Sequence, residues 1–130
     1  MKILNILTRQ HLGLALFDAT VAFYEDLLGQ EARLRLTLLD GRLRIAQVAS
    51  MLLIGAEPVL LDTIADVRAA YLVEDVEAFA EHLPRQGAMI VEPLVEIATG
   101  WSMVVRHPDG LLVEYVEHAR KNPADRMPVA

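Results

Sequence analysis

Glu114 sits in the middle of the strand-like run "RHPDGLLVEYVEH", residues 106–118. A carboxylate among Leu, Val and Tyr can pair with an arginine, move a proton as a general base, or bind a metal ion. His11, in "HLGLALF", is a second group able to bind a metal or carry a proton. Arg33, Arg35, Arg42 and Arg44 flank an Asp40-Gly41 turn. Guanidinium groups bind carboxylate or phosphate bidentately; the same pattern also makes an ordinary solvated strand face. Trp101 and Met103 open the strand before Asp109-Gly110, and ligand pockets are mostly apolar with a few polar groups.

Which of these groups meet depends on strand alternation. In the first strand Leu12, Leu14 and Leu16 are expected under the helices, with His11, Gly13 and Ala15 opposite, leaving room for a ligand. A two-residue Asp40-Gly41 turn puts Leu34, Leu36, Leu38, Leu43 and Ile45 on one face, expected to meet the helix, together with Gln47. The four arginines then share the other face, on the side of His11, as a cationic wall or a wet surface. A two-residue Asp109-Gly110 turn sets Val105 opposite Glu114. It gathers Trp101, Met103, Val105, His107, Leu112, Glu114 and Val116 on one face, where Glu114 holds a ligand or forms a structural ion pair.

The elements that must position these residues come in two similar halves. "DATVAFYEDLLG" and "DVEAFAEHLPRQG" share Asp followed by Ala-Phe-x-Glu-x-Leu. Asp18 and Asp75 suit the N-cap, Gly29 and Gly87 the C-terminus. Apolar spacing gives each segment one buried face, and Pro84 disturbs the last turn of the second. A strand precedes each helix and three follow it, the Asp-Gly pairs marking hairpins. The order is βαβββ, a linker near 57–65, and βαβββ again: an α+β chain of two modules, about 1–56 and 66–118, forming one domain of residues 1–120, with a tail over 121–130.

Composition narrows the function. The chain has 130 residues, enough for one domain; it is 54% hydrophobic and carries a formal charge of −6. Scattered acidic residues speak against a general nucleic-acid binder. No apolar run reaches the ~18 residues of a membrane span, and "MKILNILTRQH" lacks the pattern of a secretory signal. Without cysteine there is no disulfide or thiolate chemistry. These features lead to the expectation of a cytoplasmic protein, neither nucleic-acid nor membrane bound. Its high apolarity suggests a homodimer interface.

"FYEDLLG" (23–29), "VEDVEAF" (73–79) and "HPDGLLVEYVE" (107–117) in a doubled βαβββ chain resemble the vicinal oxygen chelate superfamily. Its members include glyoxalase I, bleomycin-resistance proteins, methylmalonyl-CoA epimerase and extradiol dioxygenases. The resemblance covers about residues 8–118. It implies curved mixed sheets around a cavity, closed within one chain or across a dimer, with helices on the convex side. It also implies a divalent metal in the enzymatic members, held by the first strand of each module and the last strand of the second. By position these ligands fall on His11, seven residues before Asp18, and on Glu114, four after Gly110. The third falls on Arg68, seven before Asp75, a departure, because a guanidinium has no lone pair for a metal.

Two readings follow. In the first, the chain is a metal-free binder without cofactor, capturing an anionic or aromatic small molecule with Arg68, Arg35, Arg44, Trp101 and Met103. In the second, it is a metal-dependent lyase, isomerase or dioxygenase, with Zn, Fe, Mn or Ni on His11 and Glu114 and with Glu114 as the catalytic group.

Overall fold

Asp-Gly hairpins and two short amphipathic helices build the architecture that the pattern predicts, as seen in a computed structural model that describes residues 1–119. The expected tail at 121–130 lies outside the described residues. The order is β1 (Ile3–Gly13), α1 (Phe17–Leu28), β2 (Leu34–Leu38), β3 (Leu43–Val48), β4 (Met51–Ala56), α2 (Pro58–Ile64), β5 (Ala69–Val73), α3 (Val76–Arg85), β6 (Met89–Ile97), β7 (Gly100–Arg106) and β8 (Leu112–His118). This is βαβββ twice, an α+β fold. The stretch expected to be a linker holds α2, with Pro58 in its first turn, where a missing N–H costs nothing. No helix among the described residues is long and apolar enough to cross a membrane.

The described residues divide into two compact units, Thr8–Asp66 and a second one made of Met1–Leu7 with residues 67–119. β1 begins at Ile3 rather than near His11, and its first residues belong with the second unit, where Glu74 N–H donates to the Lys2 carbonyl at 3.0 Å.

In the unit of residues 8–66, β2, β3, β4 and β1 are neighbours in that order. β2–β3 and β3–β4 are antiparallel, and β4–β1 is parallel. The β2–β3 register, Leu38 opposite Leu43, is the one a turn centred on Asp40-Gly41 requires. Helix α1 covers the side carrying Leu12, Ala46, Val48 and Leu53, burying Phe17 and Val21 there. Two small residues make this possible. Ala46 lies under the helix, and a Cβ on Gly55 would stand 2.7 Å from the Phe17 ring. α1 ends at Gly29, whose φ of +66° suits a left-handed C-cap. Asp18 is not its N-cap as expected: Leu16 holds that position, and Asp18 lies in the first turn.

In the other unit the order is β1 (its first residues), β5, β8, β7 and β6. Helix α3 seals one side with Val76 and Phe79 against Met103, Val105, Val113 and Tyr115. Its N-terminus is held by two carboxylates: Asp75 accepts from Ala78 N–H at 3.3 Å, and Glu117 accepts from Val76 N–H at 2.9 Å. Both satisfy donors that the first helical turn leaves without intrahelical partners.

Because Phe17 is 2% exposed and seated on Gly55, Gly55→Ala is expected to cost about 1–3 kcal/mol by overpacking. Phe17→Leu in the same background should recover part of that loss. Urea unfolding of the single and double variants measures both, and a neutral Gly55→Ala would refute the seating.

Candidate functional site

Cross-strand rows show what the sheet face away from each helix carries. In the unit of residues 8–66, the side away from α1 holds Leu34, Gln47, Leu52 and Arg9 in one row. The next row holds Leu36, Ile45, Ile54 and His11, and the third Leu38, Leu43, Ala56 and Gly13. The leucines expected to meet the helix thus form the opposite face. Leu34, Leu36, Leu38, Leu43 and Ile45 are half-buried there. At the β1 margin of this apolar floor stand Arg9, 7% exposed, and half-buried His11. Gln47 is buried in the Arg9 row, its amide donating to the Ala49 carbonyl at 3.1 Å.

The arginine wall is overturned. Arg35 and Arg44 lie on the α1 side, across the sheet from His11. Arg44 binds Asp18 at 2.9 Å and lies 4.6 Å from the centre of the Phe17 ring; Arg35 reaches Glu25 at 3.4 Å. Long cationic side chains lie along the helix–sheet seam with their charged heads at its rim, a usual use of Arg stems. The helix chose this side because the small residues Ala46 and Gly55 admit it, and the bulky leucines were left for the other face.

The second hairpin also departs from expectation. Val104, not Val105, lies opposite Glu114. The connection is a three-residue loop, with His107 N–H donating to the Leu111 carbonyl at 2.8 Å and Gly110 at φ +96°. Such loops rank next to two-residue turns in frequency, and one extra residue exchanges the two faces. Glu114 therefore does not share a face with Trp101, Met103, Val105 or His107. Its row is Ala70, Glu114, Val104 and Glu92; the next is Leu72, Val116, Ser102 and Val95. Buried Ser102 donates to Glu114 at 2.8 Å and orients its carboxylate. Met103 is enclosed in the core on the α3 side, 1% exposed. Trp101, on the same side, borders a hollow of ≈ 240 Å³ with Asp75, Leu94 and Glu117. Arg68 is exposed just before β5.

His107 joins the α3-side cluster instead. Its Nε2 shares a 2.7 Å hydrogen bond with the Tyr115 hydroxyl, and Tyr71 presents its ring to both. Burial, with a smaller effect of Tyr71, pushes the Tyr115 hydroxyl up to about 12, so it stays protonated.

The donor chemistry does not fit a metal of the expected kind. Among the described residues no three His, Cys, Asp or Glu side chains form a group that could hold an ion. The position matching the third ligand is Arg68, which offers donors only. Arg9 and Ser102 are not singled out by the sequence, and Gln47, expected to meet the helix, lies on the opposite face. The signal for Arg9 is the polar run Thr8-Arg9-Gln10-His11, in which Arg9 and His11 share one side of the strand; a strand starting at His11 hides it.

No protein-family model and no curated protein matches the sequence. Among solved structures, an uncharacterized protein from Methanosarcina mazei is 33% identical over 94% of this chain and 98% of its own, with a TM-score of 0.83. Methylmalonyl-CoA epimerase from Mycobacterium tuberculosis is 22% identical, covering 91% of this chain and 89% of its own, with a TM-score of 0.62. A methylmalonyl-CoA epimerase in complex with methylmalonyl-CoA and NH4+ is 19% identical, covering 98% and 100%, with a TM-score of 0.65. The fold is that of the vicinal oxygen chelate superfamily, to which the epimerases belong. Within that fold, the chain belongs to one family with the Methanosarcina mazei protein.

Tyr115 makes stability at high pH a test of how its hydroxyl is buried beside Tyr71. The folded protein keeps the Tyr115 proton to about pH 12, whereas the ordinary value is 10. The contribution is complete below pH 10 and is lost as pH rises to about 12, on the order of 2 kcal/mol. Tyr115→Phe should flatten this part of the stability profile, measured by denaturant unfolding at pH 9 to 12. Identical slopes in the two proteins would show that the hydroxyl is not held this way.

Proposed function

We propose that this protein is a metal-free small-molecule binder. Its ligand is an anionic compound with an apolar or aromatic body, held on the face that carries Arg9 and His11. The observation that supports this reading most is the make-up of that face: rows of leucine and isoleucine, half-buried on β2 and β3 and buried on β4, ending at one guanidinium and one imidazole. An apolar body over Leu34, Leu36, Leu43 and Ile45 would displace water from them, at about 25 cal/mol per Å² removed from solvent. Its anionic head would take charge-assisted hydrogen bonds from Arg9, with His11 beside it. A mostly apolar floor with a few polar groups is the usual build of a small-molecule site. Methylmalonyl-CoA, held by one structural neighbour, is an anionic acyl thioester and agrees with this ligand class.

Thermal shift in chelator-containing buffer tests the proposal, with octanoate and phenylacetate compared with the neutral octanamide and phenylacetamide. The acids should stabilise the protein, by about 2.7 kcal/mol at a hundredfold excess over Kd, and the amides should not. Arg9→Lys and His11→Gln should weaken the preference for acids while Leu36→Ala weakens both series. Equal shifts for acids and amides, no shift with any of them, or binding lost with chelator would reject it.

A further inference from the structure

On its α3 side, the second unit has a hollow of ≈ 360 Å³, away from the face that carries Arg9 and His11. One wall is the end of α3, with half-buried Leu83. The other is the loop between β7 and β8, with His107, Pro108 and Asp109. The floor is made by Ala88 and Tyr115, both buried. Small-molecule pockets usually measure about 300–1,000 Å³, and an apolar cavity of about 150 Å³ takes one benzene ring. The hollow therefore has room for one or two fused rings.

Its floor is aromatic and already ordered. The Tyr115 ring packs against Phe79, Tyr71 and His107, with ring centres 5.5, 5.3 and 5.9 Å away. Burial keeps the Tyr115 hydroxyl protonated, so in the 2.7 Å contact it donates and Nε2 of a neutral His107 accepts. The ring proton of His107 then sits on Nδ1. A charged imidazole would carry a proton there as well. Among the described residues Nδ1 makes no hydrogen bond. Half-buried His107 thus brings an unused N–H donor to a mostly apolar hollow.

We propose that this hollow binds a small neutral aromatic molecule, of one or two fused rings, that carries a carbonyl or ring-nitrogen acceptor. The flat body lies between Leu83 and Pro108 and meets the Tyr115 and His107 rings in the offset or edge-on arrangements that aromatic pairs prefer. The acceptor takes the His107 Nδ1 proton in a hydrogen bond. Charge decides against an acid. Exposed Asp109 lines the hollow, accepting from Leu111 N–H at 3.1 Å, and no Lys or Arg lines it. A carboxylate ligand would meet a like charge with no cation to answer it, whereas an uncharged acceptor avoids that repulsion. The ligand class therefore differs from the anionic one proposed for the Arg9 and His11 face, and the two sites can be tested separately.

Two-dimensional NMR of the aromatic and methyl groups tests this inference. Indanone is the probe, indane lacks the acceptor, and indane carboxylate adds a charge. Indanone titrated to about 10 mM, enough to fill roughly nine-tenths of a site with a Kd of about 1 mM, should shift the Tyr115, His107 and Ala88 signals saturably. Indane should bind about fivefold more weakly, the effect of one hydrogen bond, and the carboxylate should leave those signals in place. His107→Gln keeps an acceptor for the Tyr115 hydroxyl but loses the Nδ1 donor, and should bring indanone down to the affinity of indane. Ala88→Leu fills the hollow and should abolish binding of both; Pro108→Ala, at an exposed position, is the milder variant and should weaken both. Arg9→Lys should leave the indanone titration unchanged. The inference is overturned if indanone causes no saturable shift, if its shifts fall only on residues 8–66, if the three compounds bind alike, or if His107→Gln keeps the native preference for indanone.

Discussion

The contact on which the unit of residues 8–66 depends is the Phe17 ring resting on Gly55. Any side chain at that position would lift the ring, and α1 with it. With Gly55 and Ala46 forming a shallow seat, the helix settles on that side of the sheet, and every other face assignment follows. Arg35 and Arg44 become rim residues that bind the acids of α1. The leucines of β2 and β3 are turned to the opposite side, beside Arg9 and His11. Bulk under the helix, rather than hydrophobicity alone, chose the covered face. A close-packed interior penalises excess volume as surely as it penalises a void.

A comparable decision in the other unit rests on one residue of loop length. His107, Gly110 and Leu111 close a three-residue connection, and the odd count moves Glu114 away from Trp101 and Met103 and next to Ser102. The carboxylate is therefore oriented by a buried hydroxyl and removed from an aromatic wall. The opposite side is consolidated into a core in which Tyr115 and His107 share a proton-bearing contact. Shape and chemistry are tied here, because the same parity that places Glu114 also buries Met103.

Kinship and function stand at different depths. One-third identity over nearly the whole chain joins this protein to an uncharacterized archaeal relative. The epimerases, near one-fifth identity, share the fold, and a fold hosts many chemistries. What separates them must be argued from side chains. Arg68, which has no lone pair to offer a metal, is exposed before β5, and a guanidinium and an imidazole border an apolar floor.

The sequence by itself determined the doubled βαβββ order, the Asp75 cap, the Gly29 terminus and the register of the first hairpin. Each of these is a local matter of capping chemistry, left-handed backbone or turn residues. The alternation of β1 was legible only at His11 and Leu12; Leu14 and Leu16, expected to continue it under the helices, lie in a 3-10 turn after the strand ends at Gly13, with Leu16 62% exposed. Which face α1 would cover was not legible. That depends on the fit of Phe17 to Gly55, residues 38 positions apart in the chain. Nor was the side taken by Glu114, since Pro-Asp-Gly allows a two- or a three-residue turn and only the packed core of Tyr115, Val113 and Met103 selects between them. Periodicity states that two faces exist; volume and enclosure, which arise only when distant segments meet, decide which one the helix covers.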